Sequence, residues 1–157
     1  MNQDFKELLQ AFNDEQVKYL VIGGYAVIKY TEPRYTKDLD LWVSIGEDNS
    51  ERVYRALKKF GAPLTGLSAQ DFSAAGFFYT MGIAPQRIDI LFSVDKLDFA
   101  QCWERRVESQ IDGIHVNFIS AEDLIINKEA VRRFQDLADA EKLRISQARF
   151  VEDKDGE

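Results

Sequence analysis

The sequence predicts one domain of mixed α/β (α+β) class, a sandwich of helices on one sheet. Three observations support this. Segments with helical patterning or helix-end signals, at Asp4–Phe12, Glu47–Phe60, Leu97–Arg106 and from Ser120 onward, alternate with short apolar runs of strand length. The 157 residues are 45% hydrophobic, enough to bury one real core. No internal repeat or long linker divides the chain, so residues 1–150 read as a single domain and 151–157 as an acidic tail expected to be disordered.

Phe5, Leu8, Leu9 and Phe12 share one face of a first helix that ends at Asn13-Asp14. Tyr19–Ile22 reads as a strand stopped by Gly23-Gly24, and Tyr25–Tyr30 as a short helix that Pro33 forbids from continuing. Leu39–Val43 is a strand bearing acids. The helix Glu47–Phe60 offers Asp48, Asn49 and Ser50 as caps and Gly61 as its stop. Residues 61–76 have no steady period and read as loop with at most one helical turn. Phe77–Met81 and Gln86–Phe92 suit a hairpin across Gly82 and Pro85. After the helix Leu97–Arg106, the run Glu108–Phe118 reverses at Asp112-Gly113, a dipeptide that favours a tight turn. Ser120-Ala-Glu-Asp123 reads as a capping box, with Asp in place of Glu, opening one long helix to about Leu143. At 100° per residue, Leu124, Val131, Phe134, Leu137 and Ala138 fall on the side expected to pack, and Lys128, Arg132, Asp136 and Asp139 on the side expected to be free.

Composition narrows function. With 27 acidic and 20 basic side chains the formal charge is -7, which argues against a general nucleic-acid coat. The longest apolar stretch, Tyr19–Ile28, holds two glycines and is far short of the ~18 residues that a membrane span needs. The first residues lack a basic leader and a cleavage site, so a cytoplasmic protein is expected. Cys102 has no disulfide partner in the chain and reads as a packing residue, as do Trp42, Trp103 and the run Phe77-Phe78-Tyr79; His115 reads as structural.

Three elements point to chemistry. Asp38 and Asp40 are two apart on a strand and therefore share a face, while Leu39 and Leu41 share the other. Two such carboxylates repel and raise a pKa unless a cation is shared, and hard oxygen ligands suit Mg²⁺ or Mn²⁺. Asp89, in Arg87-Ile-Asp89-Ile-Leu, is an acid among apolar strand residues and needs a partner; on a neighbouring strand it would complete a three-carboxylate cradle. Gly23 and Gly24 let backbone approach a ligand, and the helix after them offers free N–H groups to phosphate oxygens.

This ordered set resembles the nucleotidyltransferase superfamily typified by DNA polymerase beta: an apolar strand ending in Gly23-Gly24, then Asp38-x-Asp40, then Asp89 on a later strand. The stretch Arg34-Tyr-Thr36-Lys-Asp38-Leu-Asp40, with Asn127-Lys128, Arg133, Asp136 and Asp139, looks like the AbiEii-type branch, the nucleotidyltransferase toxins of abortive-infection systems. The resemblance covers roughly residues 20–143. It implies a nucleotidyltransferase-type mixed β-sheet with flanking helices and a long C-terminal helix. It implies that Asp38, Asp40 and Asp89 hold divalent metal, Mg²⁺ or Mn²⁺, and act as the catalytic residues. Gly23 and Gly24 would cradle the triphosphate, with Arg34, Lys37 or Lys128 as phosphate partners by type. The implied substrates are a nucleoside triphosphate, ATP among the candidates, and a hydroxyl acceptor that is a protein, an RNA end or a small molecule; a toxin–antitoxin setting would add a cognate protein partner.

Two other classes compete. A non-catalytic nucleotide-binding or toxin–antitoxin module would keep the fold without turnover. A metal-dependent phosphodiesterase or nuclease also uses clustered carboxylates, although the Gly-Gly element before the acids speaks against it.

Overall fold

Asn2 accepts the Phe5 amide and starts helix α1 (Gln3–Asp14), whose apolar face of Phe5, Leu8, Leu9 and Phe12 is fully buried. In the computed structural model, residues 1–36 and 38–155 are described, with side chains as far as Phe150; Lys37 and residues 156 and 157 lie outside the described residues. Strand β1 (Tyr19–Ile22) runs directly into helix α2 (Gly23–Tyr30). Strand β2 (Asp38–Val43) follows, then helix α3 (Glu47–Phe60), which Gly61 ends in a left-handed conformation at φ +96°. A 3-10 turn at Ala69–Ser73 is the only regular element in the described loop 61–76, and its Phe72 is buried against Phe92 at 5.6 Å between ring centres.

Strands β3 (Phe78–Met81) and β4 (Arg87–Leu91) form the expected hairpin. Helix α4 (Phe99–Glu104) precedes a second hairpin of β5 (Val107–Ile111) and β6 (Ile114–Phe118). Its two-residue turn has Asp112 at φ +51° and Gly113 at φ +82°, the mirror-image geometry that matches strand twist. The six strands make one mixed sheet in the order β3-β4-β2-β1-β6-β5. The central pair β1–β2 is antiparallel, while β2–β4 and β1–β6 are parallel.

The expectation of one long last helix is corrected. Two helices stand there, α5 (Ala121–Val131) and α6 (Phe134–Asp155), separated by Arg132 in the left-handed region at φ +65°. The break resets the helical phase, so a single helical wheel places the faces wrongly. Phe134 is 96% exposed, and Val131 and Leu137 are exposed with it; Lys128, Asp136 and Asp139 are buried at 7%, 1% and 0%. Of the expected packing face, Leu124 is in the core, and Ala140 and Leu143 do the packing for α6. Helix α6 continues to Asp155, into the segment expected as a tail. Among the described residues no helix is long and apolar enough to cross a membrane.

Two capping expectations also change. Gly46, not a side chain, begins α3. Asn49 works elsewhere: its Oδ1 accepts the Lys18 amide at 2.8 Å and its Nδ2 donates to the Ser44 carbonyl at 2.8 Å, tying the entrance of β1 to the exit of β2. Ser120 does cap α5 by accepting the Asp123 amide, but the Asp123 carboxylate is gripped by Arg105 through Nε and Nη2, both at 3.0 Å. Cys102 and Trp42 are buried in the core.

Asn49→Ala strands a backbone donor and an acceptor beneath α3. Equilibrium urea unfolding is expected to show a loss of about 1–3 kcal/mol, because Asn49 is buried and its bonded groups gain no substitute.

Candidate active site

The sheet order brings the three acids to one place. In the register of β1 with β2, Ile22 faces Asp40; in that of β2 with β4, Asp40 faces Asp89 and Asp38 faces Arg87. β1 therefore ends, and β2 and β4 begin, at the same edge of the sheet. Leu39 and Leu41 point into the core on the opposite face, as the alternation requires.

Gly23 sits directly against this cluster. Its φ is +69°, and a Cβ there would lie 2.1 Å from Asp40 Oδ2. Both the backbone angle and the space demand glycine. Gly24 has the same relation to the 31–36 loop: a Cβ would lie 2.3 Å from Thr36 Oγ1. No side chain caps the first turn of α2, so its amides remain available beside the carboxylates.

Asp40 carries the unusual electrostatics. Burial, then the negative charges of Asp89 and Asp38, push its carboxyl up to about 7, with Lys128 pulling the other way. Asp89 is differently placed. It accepts from Arg87 Nε at 3.0 Å and from Thr80 Oγ1 at 2.8 Å, and it does not line the open cleft. Among the described residues no group of three or more His, Cys, Asp or Glu side chains is arranged to hold a metal ion. The expected three-acid cradle is thus a pair facing the cleft, Asp38 and Asp40, with the third acid engaged by Arg87.

The cleft measures about 550 Å³. Gly23, Gly24, Arg34, Thr36, Asp38 and Asp40 line one wall, and Asn127, Lys128 and Asp136 face them from α5 and α6, with Arg133 from the break between those helices. The second wall is a buried charge network. Lys128 Nζ lies 3.2 Å from Asp136 Oδ1 and 3.3 Å from Asp139 Oδ2; Asp139 also holds Arg34 Nη2 at 3.2 Å, and Asp136 holds Arg133 Nε at 2.7 Å. Burial works against the Asp136 carboxylate, yet Arg133 and Lys128 outweigh it and keep its pKa below the ordinary range. Arg34 and Lys128 therefore reach the cleft; Lys37 lies outside the described residues. Gln135, which donates to Asp139, and Ser93 and Asp95 beyond β4 also border the cleft, and no pattern in the sequence marks them.

With this geometry in place, comparison with known proteins is informative. A family model described as nucleotidyltransferase of unknown function (DUF6036) matches residues 1–149. No curated protein matches the chain. Among solved structures, the lincosamide antibiotic adenylyltransferase LnuA, lincomycin-bound, is similar at TM-score 0.56 and 14% identity, over 92% of this chain and 96% of that one. The antibiotic-resistance factor ANT(2'')-Ia is similar at TM-score 0.56 and 17% identity, over 98% and 92%. An antigenic nucleotidyltransferase-like protein from Paracoccidioides brasiliensis is similar at TM-score 0.52 and 16% identity, over 96% and 87%. At these identities the likeness is one of fold.

The raised Asp40 pKa has a consequence for stability with a definite sign. The folded chain keeps this proton to about pH 7, whereas the unfolded chain releases it near the ordinary carboxylate value. The resulting stabilisation is complete below that ordinary value and is lost as pH rises through 7. In EDTA, Asp40→Asn is expected to raise stability by about 4 kcal/mol at pH 8 and by little at pH 4. Thermal melts across that range check the slope; an equal gain at both ends would show that Asp40 ionises normally.

Proposed function

The chain belongs to the nucleotidyltransferase family whose model it matches over residues 1–149, and from that premise we propose that it transfers a nucleoside monophosphate from a nucleoside triphosphate to a hydroxyl acceptor. The observation that carries this reading is the close approach of Asp40 to Gly23: an acid with no ion pair among the described residues, packed on the backbone turn that opens α2. An anion bound at that turn needs a positive charge between itself and the acid.

The donor set fits a divalent ion. Asp38 and Asp40 offer hard oxygens to the cleft, and Mg²⁺ is commonly held by one or two carboxylates completed by substrate phosphates and water rather than by an all-protein cage. Asp38 and Asp40 are the ligands in this proposal, for Mg²⁺ or Mn²⁺, and Asp89 is the third carboxylate once Arg87 yields it. What such an ion supplies is neutralisation of the triphosphate and a lower pKa for the attacking oxygen.

The chain's own residues do the positioning. The first amides of α2, at Gly23 and Gly24, receive phosphate oxygens, Arg34 lies beside Gly24 on the same wall, and Lys128 faces them from across the cleft, with Lys37 a further candidate by type. The acceptor oxygen attacks the α-phosphorus in line; the bond from that phosphorus to the α–β bridging oxygen breaks, and pyrophosphate leaves with its electron pair. The hydroxyl proton passes to Asp89, the third carboxylate, once Arg87 has released it.

We extend the reading to the AbiEii-type branch. Of Asn127, Lys128, Arg133, Asp136 and Asp139, which carry that resemblance, the first four border the cleft and Asp139 pairs with Lys128 and Arg34 behind it, and this supports the reading. A cognate protein partner and a place in an abortive-infection system would follow. The non-catalytic alternative is favoured by one observation, the engagement of Asp89 by Arg87.

The test incubates the protein with labelled triphosphates, Mg²⁺ and candidate acceptors, comparing wild type with Asp38→Ala and Asp40→Ala. Each substitution is expected to lower transfer by roughly a hundredfold or more. Transfer that survives both would remove these acids from the mechanism, and Mg²⁺-dependent ATP binding without transfer to any acceptor would favour the non-catalytic module. Gly23→Ala forces a Cβ into Asp40 and strains a left-handed backbone. In calorimetric titration it is expected to weaken Mg²⁺-dependent ATP binding about tenfold or more.

A further inference from the structure

A second cleft, of about 410 Å³, opens between the loop after α2 and the outer face of α6. Lys142, Ile145, Ser146 and Arg149 line it from α6 at the spacing of one helical stripe. Tyr30 to Arg34 form the other side. The two sides are locked together: Ser146 Oγ donates to the Tyr30 carbonyl, and Tyr30 OH donates to the Ile119 carbonyl at 2.6 Å.

The cleft is basic in a chain of net charge -7: three cations, Arg34, Lys142 and Arg149, face one carboxylate, Glu32. Neither Lys142 nor Arg149 is ion-paired among the described side chains. Arg34 borders both this cleft and the one with the acids. One of its amino groups is bound to Asp139, while its Nε is buried with no acceptor among the described residues. A buried guanidinium N–H without a partner is costly, and an anion in the cleft beside Arg34 would offset that cost through its charge.

We propose that this second cleft is the acceptor subsite and that it takes a small phosphorylated compound, its phosphate held by Lys142, Arg149 and Arg34 and its hydroxyl directed past Arg34 toward Asp40. Only the word acceptor rests on the nucleotidyl-transfer reading; the anion site stands on its own residues. The volume suits one sugar phosphate, and Tyr30 and Ile145 give its ring an apolar flank. The acidic remainder of the chain disfavours a longer nucleic-acid strand. A cationic amino sugar meets like charges here.

The probe is ribose 5-phosphate, titrated calorimetrically in EDTA without nucleotide, against wild type and the double variant Lys142→Glu with Arg149→Glu. Both side chains are exposed on α6, so the variant is expected to fold, and its melting curve checks this. Affinity is expected to fall about tenfold or more, the loss of two charge-assisted contacts. The equivalent reversal Arg52→Glu with Lys58→Glu on α3 is expected to leave it unchanged. Binding by wild type is expected to persist with saturating ATP and Mg²⁺. Absent binding, equal binding by the variant, displacement by ATP, or tighter binding of a trinucleotide or of a cationic amino sugar would each overturn the assignment. Because the probe is read without nucleotide, failure of nucleotidyl transfer and failure of this subsite give different results.

Discussion

The architecture around the site depends on one uncomfortable placement, the carboxylate of Asp40 on the central strand β2. Burial and two neighbouring acids raise its pKa, and the turn beside it must be glycine because nothing larger than hydrogen fits between that turn and Oδ2. Such a charge is expensive to keep. The fold keeps it by surrounding it with rigid elements: β1 and β4 hydrogen-bond to β2 on either side, and Leu39 and Leu41 anchor the strand in the core. The destabilised acid is thereby held where a positively charged ligand would relieve it.

The opposite wall follows a different electrostatic logic. Lys128, Asp136 and Asp139 are almost wholly shielded and neutralise one another together with the half-buried Arg34, so each depends on the rest. Removing one member leaves an unpaired buried charge, whereas the complete set contributes little net stability. Its value is positional. The elbow at Arg132 turns α6 so that Asp136 and Asp139 face back onto Lys128 of α5, and Arg34 ties the 31–36 loop to the same cluster. The second wall is therefore connected to the first through side chains as well as through the sheet.

Much of this was legible from local pattern. The strand–glycine–helix unit at Tyr19–Tyr30, both hairpins, and the register that puts Asp38 and Asp40 on one face follow from period-2 alternation and turn residues. Adjacency of Asp89 was a matter of strand order, which local pattern does not encode, and its capture by Arg87 depends on a side chain two residues away on the same strand. The last two helices misled for a specific reason. Their sequence has no Gly or Pro at residues 131–134, and the left-handed residue is an arginine, so nothing announced the break that inverts the packed and free faces. Buried polar residues such as Asp136 and Asp139 look like a solvated face until the cations that neutralise them are located in space.

The convergence of four chain segments explains why one edge of the sheet can host such opposed charges. β1 and β6 both run toward this edge and launch α2 and α5, so free amide groups and Lys128 are delivered there by strands that are parallel to each other. β2 and β4, also mutually parallel, start from the same edge and bring Asp38, Asp40 and Asp89 at their beginnings. The antiparallel joint between β1 and β2 is what superposes the two sets. Were that joint parallel, the acids would sit at the far edge from the helix start. The mixed topology is thus itself the device that sets carboxylates against the uncapped amides of a helix start, an arrangement that favours a ligand carrying both signs of charge.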